Sequence, residues 1–250
     1  MFVTADDATL HTVAFGPEGP TVLGLNGWSA AWELWQPTFE HLSTTTRCVS
    51  FDTRGTGTST GSADSISIDT LVDDVFRVLD GRGIDRCVLA GESMGGFVAA
   101  HAARRDPSRF AALVLVATPA TIGPDTAGAL VDGARADYAA TTAFFVQLCF
   151  TEPDTEHLQP WGRQLFAGAD PEVAARLMEC CYDAAPDFGA ITVPTTVVHG
   201  QADAVVPVDS GRAIAAAVPD ARLIELPDAG HAPTVTRGRE VAEIIRAAVG

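Results

Sequence analysis

Positive charge is scarce in this sequence. Sixteen basic residues stand against 32 acidic ones, for a formal net charge of −16. Phosphate backbones and anionic lipid surfaces repel such a polyanion, which excludes nucleic acid and charged membranes as expected partners. The acidic surface is read instead as a solvated one. Long apolar runs are missing too. No stretch reaches the ~18 apolar residues of a membrane span. Residues 1–17 carry charge and lack the apolar run of a signal peptide. A soluble, cytoplasmic chain is expected. Cysteine is sparse and unpatterned. Cys48, Cys87, Cys149, Cys180 and Cys181 are odd in number and form no Cys-x-x-Cys pair. A bond between the adjacent Cys180 and Cys181 would be strained, so reduced, packed thiols are expected. No metal-ligand cluster is visible. The single short Gly-x-Gly at Gly55-Thr56-Gly57 is too weak to suggest nucleotide binding, and no cofactor is expected. Oligomeric state is left open.

What is present is a core-sized supply of apolar residues. The chain has 250 residues, 47% of them hydrophobic. That is enough to bury a core without covalent staples, most simply as one domain with an insertion. Residues 21–26, 48–52, 86–90, 112–117, 195–199 and 222–226 are short runs, mostly continuous in apolar side chains. Such runs suit strands buried on both faces of a parallel sheet. Helical patterns lie between them at 31–42, 67–79, 95–105, 210–218 and 239–249. In the second of these, Ile68, Leu71, Val72, Val75, Phe76 and Leu79 form one stripe, with Asp69, Asp73, Asp74 and Arg77 expected to face water. Alternating strands and helices imply an α/β fold with a mostly parallel, doubly wound sheet. The first ~15 residues read as an antiparallel opening hairpin. From 119 to 191 no strand is expected. Helices over 127–149, 157–167 and 171–184 fill the gap, which divides the chain into a core at 1–118 and 192–250 and a helical insertion at 119–191.

Gly91-Glu92-Ser93-Met94-Gly95 has the form Gly-x-Ser-x-Gly between an expected strand and an expected helix. That setting suits a serine on a sharp strand-to-helix turn, with flanking glycines leaving room for crowded backbone. The helix N-terminus brings amide donors and the positive end of a dipole to the same place. A serine hydroxyl needs a base. His231, in the turn-rich Pro227-Asp228-Ala229-Gly230-His231-Ala232-Pro233, follows the last strand and faces the same sheet edge. His101 and His199, inside a helix and ending a strand, read as structural. The acid behind the histidine is Asp203, just past the strand at 195–199. Asp125 is the rival, and Asp228 is too close to His231 in sequence. The order Ser93, Asp203, His231 is that of the nucleophile-elbow hydrolases. The second oxyanion donor is placed in Leu25-Asn26-Gly27-Trp28, as the Trp28 N–H beside that of Met94.

Together with Asn26-Gly27-Trp28, Asp52-Thr53-Arg54-Gly55-Thr56-Gly57-Thr58-Ser59, Gly200-Gln201-Ala202-Asp203 and Gly230-His231, the elbow resembles the α/β-hydrolase superfamily in its small capped branch. The likeness spans nearly the whole chain. It implies an α/β-hydrolase fold, a helical cap at 119–191 over the substrate, and structural roles for Asp52 and Arg54. Members often carry His-Gly before the oxyanion donor, where this chain has Asn26. The backbone donor survives that change, and Asn26 and Gly27 become candidates for touching substrate. A serine nucleophile argues against relatives that use aspartate there for dehalogenase or epoxide chemistry.

The expected activity is hydrolysis of a carboxylic ester or lactone through an acyl-serine. Phe144, Phe145 and Trp161 are candidate contacts to a small, apolar substrate. Two alternatives stay open. A carbon–carbon (diketone) hydrolase or a cofactor-free perhydrolase would use the same triad, and a non-catalytic binding protein would hold a small molecule without turning it over.

Overall fold

The computed structural model of the chain describes residues 1–249. Eight strands form one sheet: β1 (Phe2–Ala5), β2 (Ala8–Phe15), β3 (Thr21–Leu25), β4 (Arg47–Phe51), β5 (Cys87–Glu92), β6 (Phe110–Val116), β7 (Thr195–Gly200) and β8 (Arg222–Leu226). Their spatial order is β1-β2-β4-β3-β5-β6-β7-β8. The opening hairpin β1–β2 and the β2–β4 pair are antiparallel, and every later pair is parallel. Each strand expected from an apolar run is found, with its ends at the expected residue or within two of it. In β3 and β5 every residue is buried, as in a parallel sheet covered on both faces.

Two apolar layers flank the sheet. On one face lie α1 (Gln36–Leu42) and α9 (Gly238–Val249), with Phe39, Leu42, Val241 and Ile245 packed on Val88, Val114 and Val198. On the other lie α2 (Ile68–Gly81) and α3 (Met94–Arg105), with Val75, Leu79 and Phe97 packed on Leu23, Leu89 and Leu113. Ser67 caps α2: its hydroxyl accepts from the Thr70 amide while its own amide donates to the Thr70 hydroxyl, satisfying two donors that the first turn leaves open. The stripe on α2 is as its spacing predicts, except at Asp74. That residue is buried, because the Arg54 guanidinium grips it through two bonds of 2.7 and 2.8 Å. A carboxylate met by a planar fork can leave water.

Between β6 and β7 there are only helices: α4 (Pro124–Cys149), α5 (Gln159–Phe166) and α6 (Pro171–Asp183). One continuous helix was expected over 127–149, but the backbone leaves helical geometry at Asp137 (φ −156°, ψ 88°). The Asp137 carboxylate accepts from the Ala140 amide, so it caps a second helical half inside α4. After β7 come α7 (Asp209–Ala217), β8, the short α8 (Pro233–Thr236) and α9. Among the described residues no helix is long and apolar enough to cross a membrane.

Candidate active site

Three loops at the carboxyl ends of parallel strands converge where the insertion meets the sheet. Ser93 sits between β5 and α3 with φ 52° and ψ −119°, a backbone region that costs a non-glycine residue energy and survives only where its surroundings enforce it. The enforcement is visible. The Ser93 amide donates to Val116 O at 2.8 Å. A side chain at Gly91 would begin 2.5 Å from Gly95 O, and one at Gly95 would begin 2.4 Å from Leu25 O. Bare glycines are what let the strand turn so sharply into the helix.

His231 follows β8 and is 2% exposed. Its Nε2 lies 3.1 Å from Ser93 Oγ, and its Nδ1 lies 2.9 Å from Asp203 Oδ2. Asp203 follows β7. Its other oxygen accepts from the Val205 and Val206 amides, both at 2.8 Å. A second imidazole, that of His199, has Nε2 2.9 Å from Val206 O and 3.3 Å from Asp203 Oδ2. Burial alone would raise the Asp203 pKa. The His231 charge, the bonds from His199 and His231, and the Val206 amide outweigh it and hold the carboxyl well below its usual range. Burial likewise pushes the His231 pKa down, but the carboxylates of Asp203 and Glu92 bring it above 6.5. The arrangement therefore suits an ionised acid, a histidine that can accept a proton, and a hydroxyl within reach of it.

Trp28 and Met94 flank the serine. Met94 opens α3, so its N–H finds no acceptor inside the helix. A side chain at Gly27 would begin 3.5 Å from Ser93 Cβ and 2.5 Å from Glu92 Oε2, so only glycine lets the loop after β3 close on the elbow. The Trp28 indole is buried, and its Nε1 donates to Ala174 O in α6 at 2.8 Å. Its ring meets Phe145 edge-on at 5.4 Å. Phe145 in turn stands 6.1 Å from the His231 ring.

Three expected substrate contacts are corrected by the structure. Asn26 is buried and turned into the sheet: its Nδ2 donates to Phe51 O at 2.8 Å, and its Oδ1 accepts from the Ser50 hydroxyl at 3.3 Å. Both polar ends are directed at β4. Phe144 is 62% exposed, because consecutive helical residues point about 100° apart and Phe145 holds the inward direction. Trp161 is half-buried against the core but lines no cavity beside Ser93. Its neighbours Gly162, Leu165 and Phe166 do.

The sequence reading missed two acids. Glu92, inside the elbow, is 3% exposed and lines the cavity at Ser93 and His231. It occupies the freely variable place of the motif, so no pattern marks it. Glu152, just past α4, accepts from the Gly230 amide at 2.9 Å and from the Thr236 hydroxyl at 2.5 Å. Its second oxygen lies 3.3 Å from Arg237 Nε. It ties the insertion to the loop that carries His231, and no local signal could show that. Asp52 and Arg54 are in structural networks, as expected: Asp52 receives the amides of Trp32 and Thr58. Among the described residues no group of three or more metal-ligating side chains gathers.

A profile of the alpha/beta hydrolase family matches residues 22–244, and the chain belongs to that family. Its architecture is the α/β-hydrolase fold, and the protein is an enzyme of that class. Among relatives, "Putative carbamate hydrolase RutD" of Variovorax paradoxus (strain S110) is 31% identical over 241 residues, 91% of either chain. A pimeloyl-(acyl-carrier protein) methyl ester esterase of Nitrosomonas europaea is 27% identical over 242 residues, 90% of this chain and 94% of the relative. Among solved structures, the enol-lactonase from Burkholderia xenovorans LB400 superposes with a TM-score of 0.93 at 27% identity, over 100% of this chain and 99% of the other.

Proposed function

We propose that this protein hydrolyses a carboxylic ester or lactone through an acyl-serine intermediate on Ser93. One observation carries the reading: the unbroken hydrogen-bond line from Ser93 Oγ to His231 Nε2 (3.1 Å) and from His231 Nδ1 to Asp203 Oδ2 (2.9 Å). In this mechanism His231 takes the Ser93 proton as Oγ attacks the carbonyl carbon. The Trp28 and Met94 amides receive the oxyanion. His231 then protonates the departing alcohol, and the ester to Ser93 is cleaved by a water that His231 deprotonates. Asp203 holds the ring and balances its transient charge. The oxyanion donors are a large part of the rate, since losing one typically costs ~10²–10³ in kcat. Residues 119–191 act as a cap that keeps water from the apolar site. The relatives named for a methyl ester and an enol-lactone support this bond class and a small-molecule substrate.

Ser93→Ala tests the reading. Turnover of short p-nitrophenyl esters should fall by ~10³-fold or more, and a fluorophosphonate probe should label the native protein and not the variant. Retained turnover in Ser93→Ala removes the acyl-serine from consideration.

A further inference from the structure

Two cavities meet at Ser93 and share Trp28 and Phe145 as walls. The outer one, of about 210 Å³, is lined by Pro119, Ile122, Leu130, Met178 and Pro207 among others, and by no charged side chain. The inner one is only about 30 Å³, with Leu34, Val146, Phe150 and Leu165 in its wall. That is room for a group of about one or two non-hydrogen atoms. Its two polar charge-bearing members are His231, already engaged by Asp203 and Ser93, and Glu92.

Glu92 has no role in the steps above. Among the described residues no side chain forms a hydrogen bond or ion pair with it, although it is 3% exposed. Gly27 leaves the space its Oε2 occupies, and the Gly27 amide is the backbone group that favours its charge. The ionisable groups facing it are His231, Asp203 and the Cys149 thiol from α4. No arginine lines either cavity. One backbone amide does not saturate a carboxyl, and the acceptor capacity left over in a buried site costs stability unless a ligand or water takes it up.

Resting on the ester-hydrolase reading, we infer that Glu92 determines specificity. It admits to the inner chamber a small, uncharged substituent carrying a hydroxyl or amino group, and it turns away substrates bearing a carboxylate. A donor O–H or N–H completes the hydrogen bonding that the protein leaves open. A carboxylate would meet a second negative group in an apolar site that no arginine lines and whose one basic lining residue, His231, is already paired with Asp203.

Two matched pairs of ethyl esters, followed by alkali uptake at pH 8, test this: ethyl propanoate against monoethyl malonate, and ethyl glycolate against ethyl propanoate. The native enzyme should favour the neutral ester of the first pair and the hydroxylated ester of the second, each by about tenfold or more in kcat/KM. Glu92→Gln should shrink the charge preference by about tenfold, and Glu92→Leu should erase the hydroxyl preference. Equal rates within both pairs, or preferences untouched by either variant, overturn the inference. Calorimetry on Ser93→Ala separates it from the mechanism. Propanamide should bind and malonamate should not, and the gap should narrow when Glu92→Gln is added. Equal binding, or no heat from either amide, counts against the inference. Failure of every ester to be turned over counts against the acyl-serine reading, while the binding result still judges Glu92.

Discussion

At the scale of single residues, the site is built from side chains whose environment opposes their ordinary state. Ser93 is held at a positive φ, Asp203 is buried and yet ionised, and Glu92 is buried with no side-chain partner. Burial is the main reason the Glu92 pKa rises from 4.5 to about 7, with the Asp203 charge adding to it and His231 opposing it. The consequence for stability has a definite sign. An acid whose folded pKa lies above its unfolded one binds more protons in the folded state between the two values. Stability contributed by Glu92 is therefore present below pH 4.5 and is lost as pH rises through about 7. The full swing is about 3 kcal/mol. Glu92→Gln, which does not titrate, should gain stability over the native protein by about that amount between pH 4.5 and pH 8 in urea unfolding. A constant difference across that range would show that Glu92 keeps an ordinary pKa.

At the scale of elements, the helical segment between β6 and β7 is coupled to the loop that carries His231 through one carboxylate. Glu152 leaves α4 and reaches the Gly230 amide and the Thr236 hydroxyl on either side of His231. Glu152→Ala would strand both donors, at a cost of about 1–3 kcal/mol, and free the loop that aims the imidazole. Chemical denaturation should show that loss. Steady-state kinetics should show kcat falling about tenfold or more with KM changed much less, because reach to Ser93 depends on sub-ångström placement. Glu152→Gln keeps an acceptor for Gly230 and should recover most of kcat. If Ala and Gln behave alike, Glu152 does not position the base. The break in α4 at Asp137 belongs to the same scale. The next residue, Tyr138, bonds to both Phe166 O and Ser29.

At the scale of the whole molecule, charge and topology act together. With a net charge of −16 and a pI near 4.5, the surface carries a repulsive field toward polyanions. No retention on anionic phospholipid vesicles is expected in sedimentation at physiological salt, where exposed charges are screened beyond ~8 Å but not cancelled. Co-sedimentation would reveal a local basic or apolar docking patch that the average hides. The parallel sheet places the ends of β5, β7 and β8 on one edge, and this brings together residues 93, 203 and 231, up to 138 positions apart in sequence.

Much of this was legible in the chain itself. The strands were readable because continuous apolar runs between turn-formers have few other places to go. Ser93, Asp203 and His231 were readable because each sits in a short segment whose glycines and turn residues encode local backbone shape, and local shape needs no knowledge of distant partners. The direction of a side chain within an element was not readable. Phe144 and Phe145 differ only by a rotation of about 100° about α4, and packing against Trp28 and Phe166 chose between them. The sequence determined the fold class and the three residues in line, through local backbone geometry and apolar periodicity. Tertiary structure alone decided that Asn26 turns into the sheet, that Asp74 is buried, and that Glu92 and Glu152 face the site, because burial and partnership are properties of neighbours distant in the chain.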